Sequence, residues 1–253
     1  MNEQSKTKDV AGTTAIVAGA SRGFGRGVAT ALVTKGAHVV GVARTKSDLD
    51  KVRAALGEGF TAVAADAADP ATAARLVDEY RPRTLVLCAG AAPQMTQLQD
   101  QTWETFSENW NVDVAQAFHW VRRALTSPLP PGSRVIAFSS GAAIKGSPLS
   151  GGYAGANATV RFIASYAAIE SQRAGLGIDF VSVLPQLTPA TDLGAKAVAA
   201  YAQRQGVTLD DFLKGLGPVL TPDQVGEAVL ELVAAERPDP AYALSAAGLS
   251  AIP

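Results

Sequence analysis

The chain has 253 residues, and its 22 Lys and Arg side chains nearly balance its 23 Asp and Glu side chains, giving a formal net charge of −1. This balance excludes the strongly basic surface that nucleic acids and anionic membranes attract, so we expect neither as a partner. Hydrophobic residues make up 47% of the chain and charged residues 18%, which excludes disordered and fibrous proteins and allows a full hydrophobic core.

Short runs rich in β-branched residues alternate with longer amphipathic segments along the chain. Such runs predict buried parallel strands, here at residues 14–18, 38–43, 61–65, 84–87, 134–138 and 179–184. Between them, apolar residues recur at helical spacing; Gly36 closes the first helix and Pro70 opens the third. This alternation predicts an α/β fold of the Rossmann type, a single domain built on a doubly wound parallel sheet.

The alternation changes after the sixth predicted strand. Pro185 and Pro189 end that strand, and residues 191–217 form an insertion of mixed polar and apolar character. Because ligands bind at the carboxyl edge of a parallel sheet, we expect this insertion to cover a ligand. An ordinary pair of surface helices is the alternative.

Targeting and membrane-spanning patterns are not expected in this sequence. The longest stretch without a charged side chain runs from Thr84 to Gln99, and its second half is polar. Residues 1–9 carry several charges and no apolar core follows them, which predicts a flexible tail before one domain at residues 10–253. We therefore predict a cytoplasmic protein.

Cysteine and histidine are too scarce to predict a metal site. Cys88 is the only cysteine, and neither His38 nor His119 has a partner at the spacing of metal ligands. We expect no bound metal, and we interpret Cys88 as a small buried residue rather than a reactive thiol.

A glycine-rich turn joins the first predicted strand to the first predicted helix. Glycines let backbone N–H groups approach a pyrophosphate, and the amino end of a helix favours an anion there. The sequence therefore predicts a dinucleotide site in this turn, with the candidate residues Gly19, Ser21, Arg22, Gly23, Phe24 and Gly25.

The end of the second predicted strand indicates which dinucleotide binds. An Asp or Glu usually follows this strand when the cofactor has a free ribose 2'-hydroxyl, but Arg44 stands here instead. A guanidinium pairs with a 2'-phosphate, and Arg22 in the turn can approach the same group. These residues favour NADP over NAD; a solvated loop beginning at Arg44 is the alternative.

These glycines, together with Ser140 and Tyr153 thirteen residues apart and Cys88-Ala89-Gly90 after the fourth strand, resemble the short-chain dehydrogenase/reductase family. The resemblance implies an NADP-binding oxidoreductase acting on a small molecule, and a homodimer or homotetramer. It also implies cofactor contacts from Asp66 and its neighbour Ala67, from Ala89 and Gly90, from Tyr153 and Asn157, and from Pro185 and Thr188. Thr191 is the second choice for the hydroxyl that reaches the nicotinamide.

The same resemblance implies the catalytic residues, with two departures from the family pattern. Ser140 would hold the substrate oxygen and Tyr153 would pass a proton, but Asn157 stands where the family has a Lys. The Asn of the fourth helix aligns with Asp113, or alternatively with Asn111. Both changes affect the proton relay.

Loss of the Lys favours reduction over oxidation. A Lys ammonium beside the Tyr lowers the phenol pKa, and without it little tyrosinate forms at neutral pH. Oxidation needs that base, whereas reduction of a carbonyl needs the protonated phenol. We predict an NADPH-dependent reductase of a small or medium ketone or aldehyde. The alternatives are an imine reductase, because an iminium is already positively charged, and a non-catalytic NADP-binding or sensor protein.

Overall fold

The computed structural model describes residues 10–252, so the predicted tail at residues 1–9 lies outside the described part. The strands are β1 Thr14–Ala18, β2 His38–Ala43, β3 Phe60–Ala64, β4 Thr84–Leu87, β5 Arg134–Phe138, β6 Asp179–Pro185, β7 Ala241–Ser245 and β8 Gly248–Ala251. They form one sheet in the order β3-β2-β1-β4-β5-β6-β7-β8. All neighbouring pairs are parallel except the last, in which β8 runs antiparallel to β7.

Helices cover both faces of this sheet. They are α1 Gly23–Thr34, α2 Lys46–Leu56, α3 Pro70–Tyr80, α4 Trp103–Asn109, α5 Ala115–Thr126, α6 Ala142–Lys145, α7 Gly151–Arg173, α8 Asp192–Gln205, α9 Leu209–Leu216 and α10 Pro222–Ala234. One face buries apolar residues of α1 and α10, and the other buries residues of α3, α5 and α7. The predicted α/β Rossmann-type fold is confirmed.

The strand order reverses between β1 and β4, where the chain leaves one half of the sheet and builds the other. Loops that follow neighbouring strands diverge at such a point, because their helices cross to opposite faces of the sheet. The resulting crevice at the carboxyl ends of the strands is where doubly wound folds bind ligands.

Several predicted bounds need correction. The third strand begins and ends one residue earlier than predicted, the sixth extends to Pro185, and α1 begins at Gly23, inside the glycine-rich turn. The predicted long fourth helix is interrupted by a π-helical turn at Trp110–Val114. Strands β7 and β8 were not predicted, because their short runs of Ala, Leu, Ser and Gly have weak β-propensity.

The outer surface carries large exposed aromatic side chains on α4, α5 and α7. Trp103, Phe118, Phe162 and Tyr166 are all more than half exposed, whereas Trp120 is buried and donates its indole N–H to the Ala67 carbonyl. The homodimer or homotetramer implied by the family resemblance stays a prediction. Among residues 10–252, no helix has the length and apolar character needed to cross a membrane.

Candidate active site

A cleft of about 790 Å³ opens at the carboxyl edge of the sheet. The β1–α1 turn, the loops after β4, β5 and β6, the first turns of α7, and the helices α8 and α9 all contribute to its lining. Most of the predicted site residues line it: Gly19, Arg22, Gly23, Phe24, Gly25, Ala89, Gly90, Asp113, Ser140, Tyr153, Asn157, Pro185 and Thr188. Ser21, Arg44, Asp66, Ala67 and Asn111 do not.

The β1–α1 turn has the close backbone contacts that only glycine allows. A Cβ on Gly19 would lie 2.7 Å from the Ala89 amide nitrogen, and a Cβ on Gly25 would lie 2.2 Å from the Gly19 carbonyl oxygen. Gly23 has a φ of 52°, in the left-handed region that favours glycine. These contacts seat the amino end of α1 directly against β1 and β4.

The amino end of α1 also has the character of an anion site. Its N-cap residue, Arg22, makes no side-chain capping bond, and the first turn carries no acidic residue. By contrast, Asp69, Thr191, Thr208 and Thr221 cap α3, α8, α9 and α10 with their side chains. A helix amino end that lines a cleft, with no side-chain cap and no acidic residue in its first turn, fits the pyrophosphate of a dinucleotide.

The residues predicted to contact the adenosine half lie beside the cleft, at the ends of β2 and β3. Arg44 and Asp66 are exposed, and one oxygen of Asp66 accepts the Ala68 amide at 2.9 Å. Arg22 is also exposed and lies 3.6 Å from Asp192, which is equally exposed. Such an exposed pair contributes little energy, so Arg22 is available to another anion.

Ser140 and Tyr153 come together at the opposite end of the cleft. Ser140 follows β5, and Tyr153 lies in the first turn of α7. That turn is held close to α4, since a Cβ on Gly152 would lie 1.8 Å from the Phe106 carbonyl oxygen. The pKa of Tyr153 is raised to about 12, chiefly by desolvation; hydrogen bonding with Ser140 opposes this shift, and the negative charge of Asp113 adds to it. Tyr153 is therefore a phenol rather than a phenolate at neutral pH.

Asp113 lies within the π-helical turn, which aims its carboxyl group into the fold. One oxygen accepts the Ala91 amide at 2.8 Å, and the other accepts from the Asn109 side chain at 3.1 Å. Burial raises the pKa of Asp113 to about 7, although both hydrogen bonds lower it. Asn111 is exposed and lies outside the cleft, whereas Asp113 lines it; the assignment of either residue to the relay position stays a prediction.

Asn157 is buried on α7, one turn beyond Tyr153. Its side-chain amide donates to the Tyr153 carbonyl at 3.0 Å, and its own carbonyl accepts from the Ser139 hydroxyl at 2.8 Å. The first bond lies within α7, and the second ties α7 to the end of β5. They fix the backbone beside Tyr153 without placing a positive charge there.

Cations line the cleft only through exposed side chains. Arg22, Lys145 and Lys196 are all exposed residues at its border, and no cation is among the groups that shift the Tyr153 pKa. Arg161, eight residues beyond Tyr153, does not line the cleft. The described residues therefore provide no substitute for a Lys beside the phenol.

The hydroxyl groups after β6 have different hydrogen-bonding roles. Thr188 donates its proton to the Leu220 carbonyl at 2.7 Å, whereas Thr191 accepts from the Gly194 amide at 3.1 Å. A hydroxyl has one proton to donate. The Thr188 proton is therefore engaged by a backbone carbonyl, and the assignment of Thr188 or Thr191 as the donor to a carboxamide stays a prediction.

Two buried amides near the site were not predicted. Asn109 donates to the Ala91 carbonyl at 2.9 Å as well as to Asp113, and Gln116 donates to the Ala89 carbonyl at 2.6 Å. Together they hold the loop after β4. Asn109 lies four residues before Asp113, and Gln116 lies three residues after it. Amide side chains at this helical spacing from Asp113 were the sequence signal that could have identified them.

The carboxyl-terminal strands also contribute to the site, through Leu244, Ser245 and Ser250. No sequence pattern pointed to these residues, because their strands were not recognised. They reach the cleft because β7 pairs with β6, whose end leads into the loop that carries Thr188.

Cys88 stands where the family resemblance implies an Asn. It lines the cleft beside the glycine-rich turn, and the Gly25 amide hydrogen-bonds to it. Desolvation raises the pKa of this thiol to about 12. Such a thiol is protonated and weakly nucleophilic at neutral pH.

Known proteins share this fold and parts of this sequence. L-xylulose reductase of Mesocricetus auratus is 33% identical over 129 residues, 50% of this chain and 52% of that protein. D-beta-hydroxybutyrate dehydrogenase of Cupriavidus necator is 25% identical over 85% of this chain and 88% of that protein. Carbonyl reductase (NADPH) 2 of Sus scrofa is 32% identical over 49% and 52% of the two chains. The chain thus spans about half the length of several of the curated relatives that it matches.

A solved structure gives the fold comparison over most of the chain. It is 3-ketoacyl-(acyl-carrier-protein) reductase from Brucella melitensis complexed with NADH, with a TM-score of 0.74, 23% identity, and coverage of 90% of this chain and 92% of that one. The sequence profile described as short chain dehydrogenase matches residues 13–202, from β1 into α8. This chain belongs to the short chain dehydrogenase family of oxidoreductases.

Proposed function

We propose that the protein is an NADPH-dependent reductase of a small or medium ketone or aldehyde. The observation that carries this proposal is the placement of Ser140 and Tyr153 in the same cleft as the uncapped amino end of α1. A dinucleotide whose pyrophosphate lies on α1 extends along the carboxyl edge of the sheet toward those two hydroxyl groups.

When bound, the cofactor supplies the hydride. Ser140 holds the substrate oxygen by hydrogen bonding, and the Tyr153 phenol gives its proton to that oxygen as negative charge develops there. A phenol with a pKa of about 12 is present almost entirely in the protonated form at neutral pH. The protonated phenol that reduction needs is therefore available, whereas the tyrosinate that alcohol oxidation needs as a base is scarce.

Two arginines support NADPH as the cofactor. Arg44 follows β2 at the position where an acid would bind a free ribose 2'-hydroxyl, and Arg22 lies in the turn after β1. Both are exposed, and the planar guanidinium group suits a 2'-phosphate. Among the relatives, the Sus scrofa protein is named as an NADPH carbonyl reductase, whereas the Brucella melitensis protein was solved with NADH.

Asp113 favours a second candidate, an imine reductase. Its carboxyl group lines the cleft, affects Tyr153 electrostatically, and has a pKa of about 7. An ionised carboxylate stabilises a nearby iminium, and an iminium accepts hydride without a simultaneous proton transfer. Imine reduction by this route depends on the ionised form of Asp113.

The test is consumption of NADPH by the purified protein with a panel of ketones, aldehydes and cyclic imines. For a carbonyl reductase, Tyr153→Phe should lower kcat by about 10²–10⁴, the usual contribution of a positioned acid. Tyr166→Phe is the matched control, because that tyrosine is 61% exposed and lies outside the cleft.

Unchanged ketone turnover in Tyr153→Phe would show that the assigned proton donor is wrong. Turnover confined to imines, and lost in Asp113→Asn, would support the second candidate. NADPH binding without turnover of any substrate would contradict both candidates and favour the non-catalytic alternative.

A further inference from the structure

Three hydroxyl groups meet on the substrate side of the cleft. The Ser147 hydroxyl lies 2.5 Å from the Ser150 hydroxyl and also forms a hydrogen bond with the Tyr201 hydroxyl. All three residues line the cleft. We call Ser147, Ser150 and Tyr201 the hydroxyl cluster.

The cluster joins two parts of the fold that are distant in sequence. Ser147 belongs to the loop between α6 and α7, Ser150 is the N-cap residue of α7, and Tyr201 lies on α8 in the insertion after β6. Ser150 makes no side-chain capping bond to α7. Its hydroxyl is directed to the cluster instead, three residues before Tyr153 on the same helix.

A pair of stacked aromatic rings adjoins the cluster. The Tyr201 ring is nearly parallel to the ring of Phe212, with an interplanar angle of 5° and centroids 6.4 Å apart. Phe212 belongs to α9 and also lines the cleft. These rings add an aromatic, apolar part to the lining beside the hydroxyl groups, which suits a ligand that contains a ring.

Hydrogen-bonding capacity remains in the cluster after its internal bonds are counted. Three hydroxyl groups carry three protons, and the two bonds among them use two of those protons. One proton and several lone pairs remain for a further polar group. A single hydroxyl on a ligand can use both, since it donates one bond and accepts others.

We propose that the hydroxyl cluster binds a hydroxyl substituent of the substrate, and that the substrate is a ring-containing ketone. The proposal rests on the proposed function, because Tyr153 and Ser140 define the reacting end. The cluster is neutral, whereas the cationic residues Lys145 and Lys196 are exposed at the border of the cleft. A neutral hydroxyl therefore matches the cluster better than a carboxylate does.

The experiment compares 1-tetralone with its ring-hydroxylated derivatives, both as substrates with NADPH and as ligands in a binding titration with NADPH present. Wild-type protein should prefer at least one hydroxytetralone over 1-tetralone by about three- to tenfold in kcat/KM and in Kd, the effect of one neutral hydrogen bond. Tyr201→Phe keeps the ring and removes the hydroxyl, and Ser147→Ala removes the central hydroxyl. Both should reduce that preference toward one, while the control Tyr166→Phe keeps it.

The binding titration separates failure of the two proposals. Preferential binding that depends on Tyr201 and Ser147, without any turnover, would support the cluster and contradict the reductase function. Ketone reduction that depends on Tyr153, with equal preference in wild type and Tyr201→Phe, would support the reductase and overturn the cluster. Absence of any preference for a hydroxylated ring in the wild-type protein would also overturn it.

Discussion

The two ends of the cleft are built from different kinds of interaction. At the β1–α1 turn, glycines without side chains let the backbones of β1, β4 and α1 approach one another, and helix N–H groups face the cleft. At the end that holds Tyr153, Asp113 and Asn157, all three side chains are enclosed in the fold, and burial raises the pKa values of Tyr153 and Asp113. The shape of the first end therefore depends on steric contacts between backbone atoms. The pKa values at the second end depend on burial and on nearby charges, which a single substitution can change.

The largest effect is expected at the steric end, from Gly25→Ala. The added methyl group meets the Gly19 carbonyl, which is backbone and cannot move aside without displacing β1. We expect a loss of about 1–3 kcal/mol in the free energy of unfolding, the usual cost of overpacking, together with loss of NADPH binding. Thermal melting and a fluorescence titration with NADPH measure the two effects.

Gly215→Ala is the matched control for this prediction. Gly215 lies in α9, and a Cβ there would have no neighbour within 4 Å. Because Ala is the better helix former, this variant should be as stable as the wild type or slightly more stable. Equal effects of the two substitutions would contradict the steric account of the turn.

The next effect is expected at the electrostatic end, from Asn157→Lys. An ammonium beside Tyr153 should lower its pKa from about 12 and increase the tyrosinate fraction about tenfold for each unit of change. Alcohol oxidation with NADP⁺ at pH 8 should therefore rise at least about tenfold. Asn157→Met adds a long side chain without the charge, and a similar gain in that variant would contradict the electrostatic explanation.

A smaller effect is expected from Arg44→Asp, beyond the glycine-rich turn. The introduced carboxylate should repel a 2'-phosphate and accept a hydrogen bond from a ribose 2'-hydroxyl instead. The ratio of kcat/KM for NADPH to that for NADH should therefore fall about tenfold or more. Arg53→Asp, an equal charge change near the end of α2, should leave the ratio unchanged. A ratio that does not move in Arg44→Asp would show that Arg44 belongs to a solvated loop.

The last prediction concerns the pH dependence of stability, which Asp113→Asn should change. The folded protein binds the Asp113 proton more tightly than the unfolded chain does, because burial raises the pKa from 3.8 to about 7. The free energy of unfolding should therefore decrease as the pH rises from about 4 to about 7, and this contribution should be constant above that range.

Asp113→Asn should lose this slope, which denaturant unfolding at several pH values between 4 and 8 can measure. The slope is the useful quantity, since the new amide also meets the Asn109 amide and changes stability equally at every pH. Asp100→Asn, a substitution of an exposed carboxylate, should retain the slope. A slope that persists in Asp113→Asn would assign the titration to another group.

The sequence by itself determined the parts of the protein that depend on local rules. Runs of β-branched residues and the positions of glycines predicted six strands, and the predicted bounds of two of these strands were wrong by one residue. The same patterns placed the glycine-rich turn between β1 and α1. The predicted Ser140 and Tyr153 line the cleft because each follows a recognisable strand end or helix start. The spacing of residues along the sequence was enough to predict these features, because the periods of strands and helices come from backbone geometry.

Only the tertiary structure decided which groups surround Tyr153 and what charge they carry. The π-helical turn buries Asp113 and exposes Asn111, although the two residues are almost adjacent in sequence. Pairing of β7 with β6 brings unrecognised strands to the cleft, and Tyr201 meets Ser147 across 54 positions of sequence. Burial and hydrogen bonding depend on neighbours that are remote along the chain, and for that reason no local pattern encodes the pKa of Asp113 or the hydroxyl cluster.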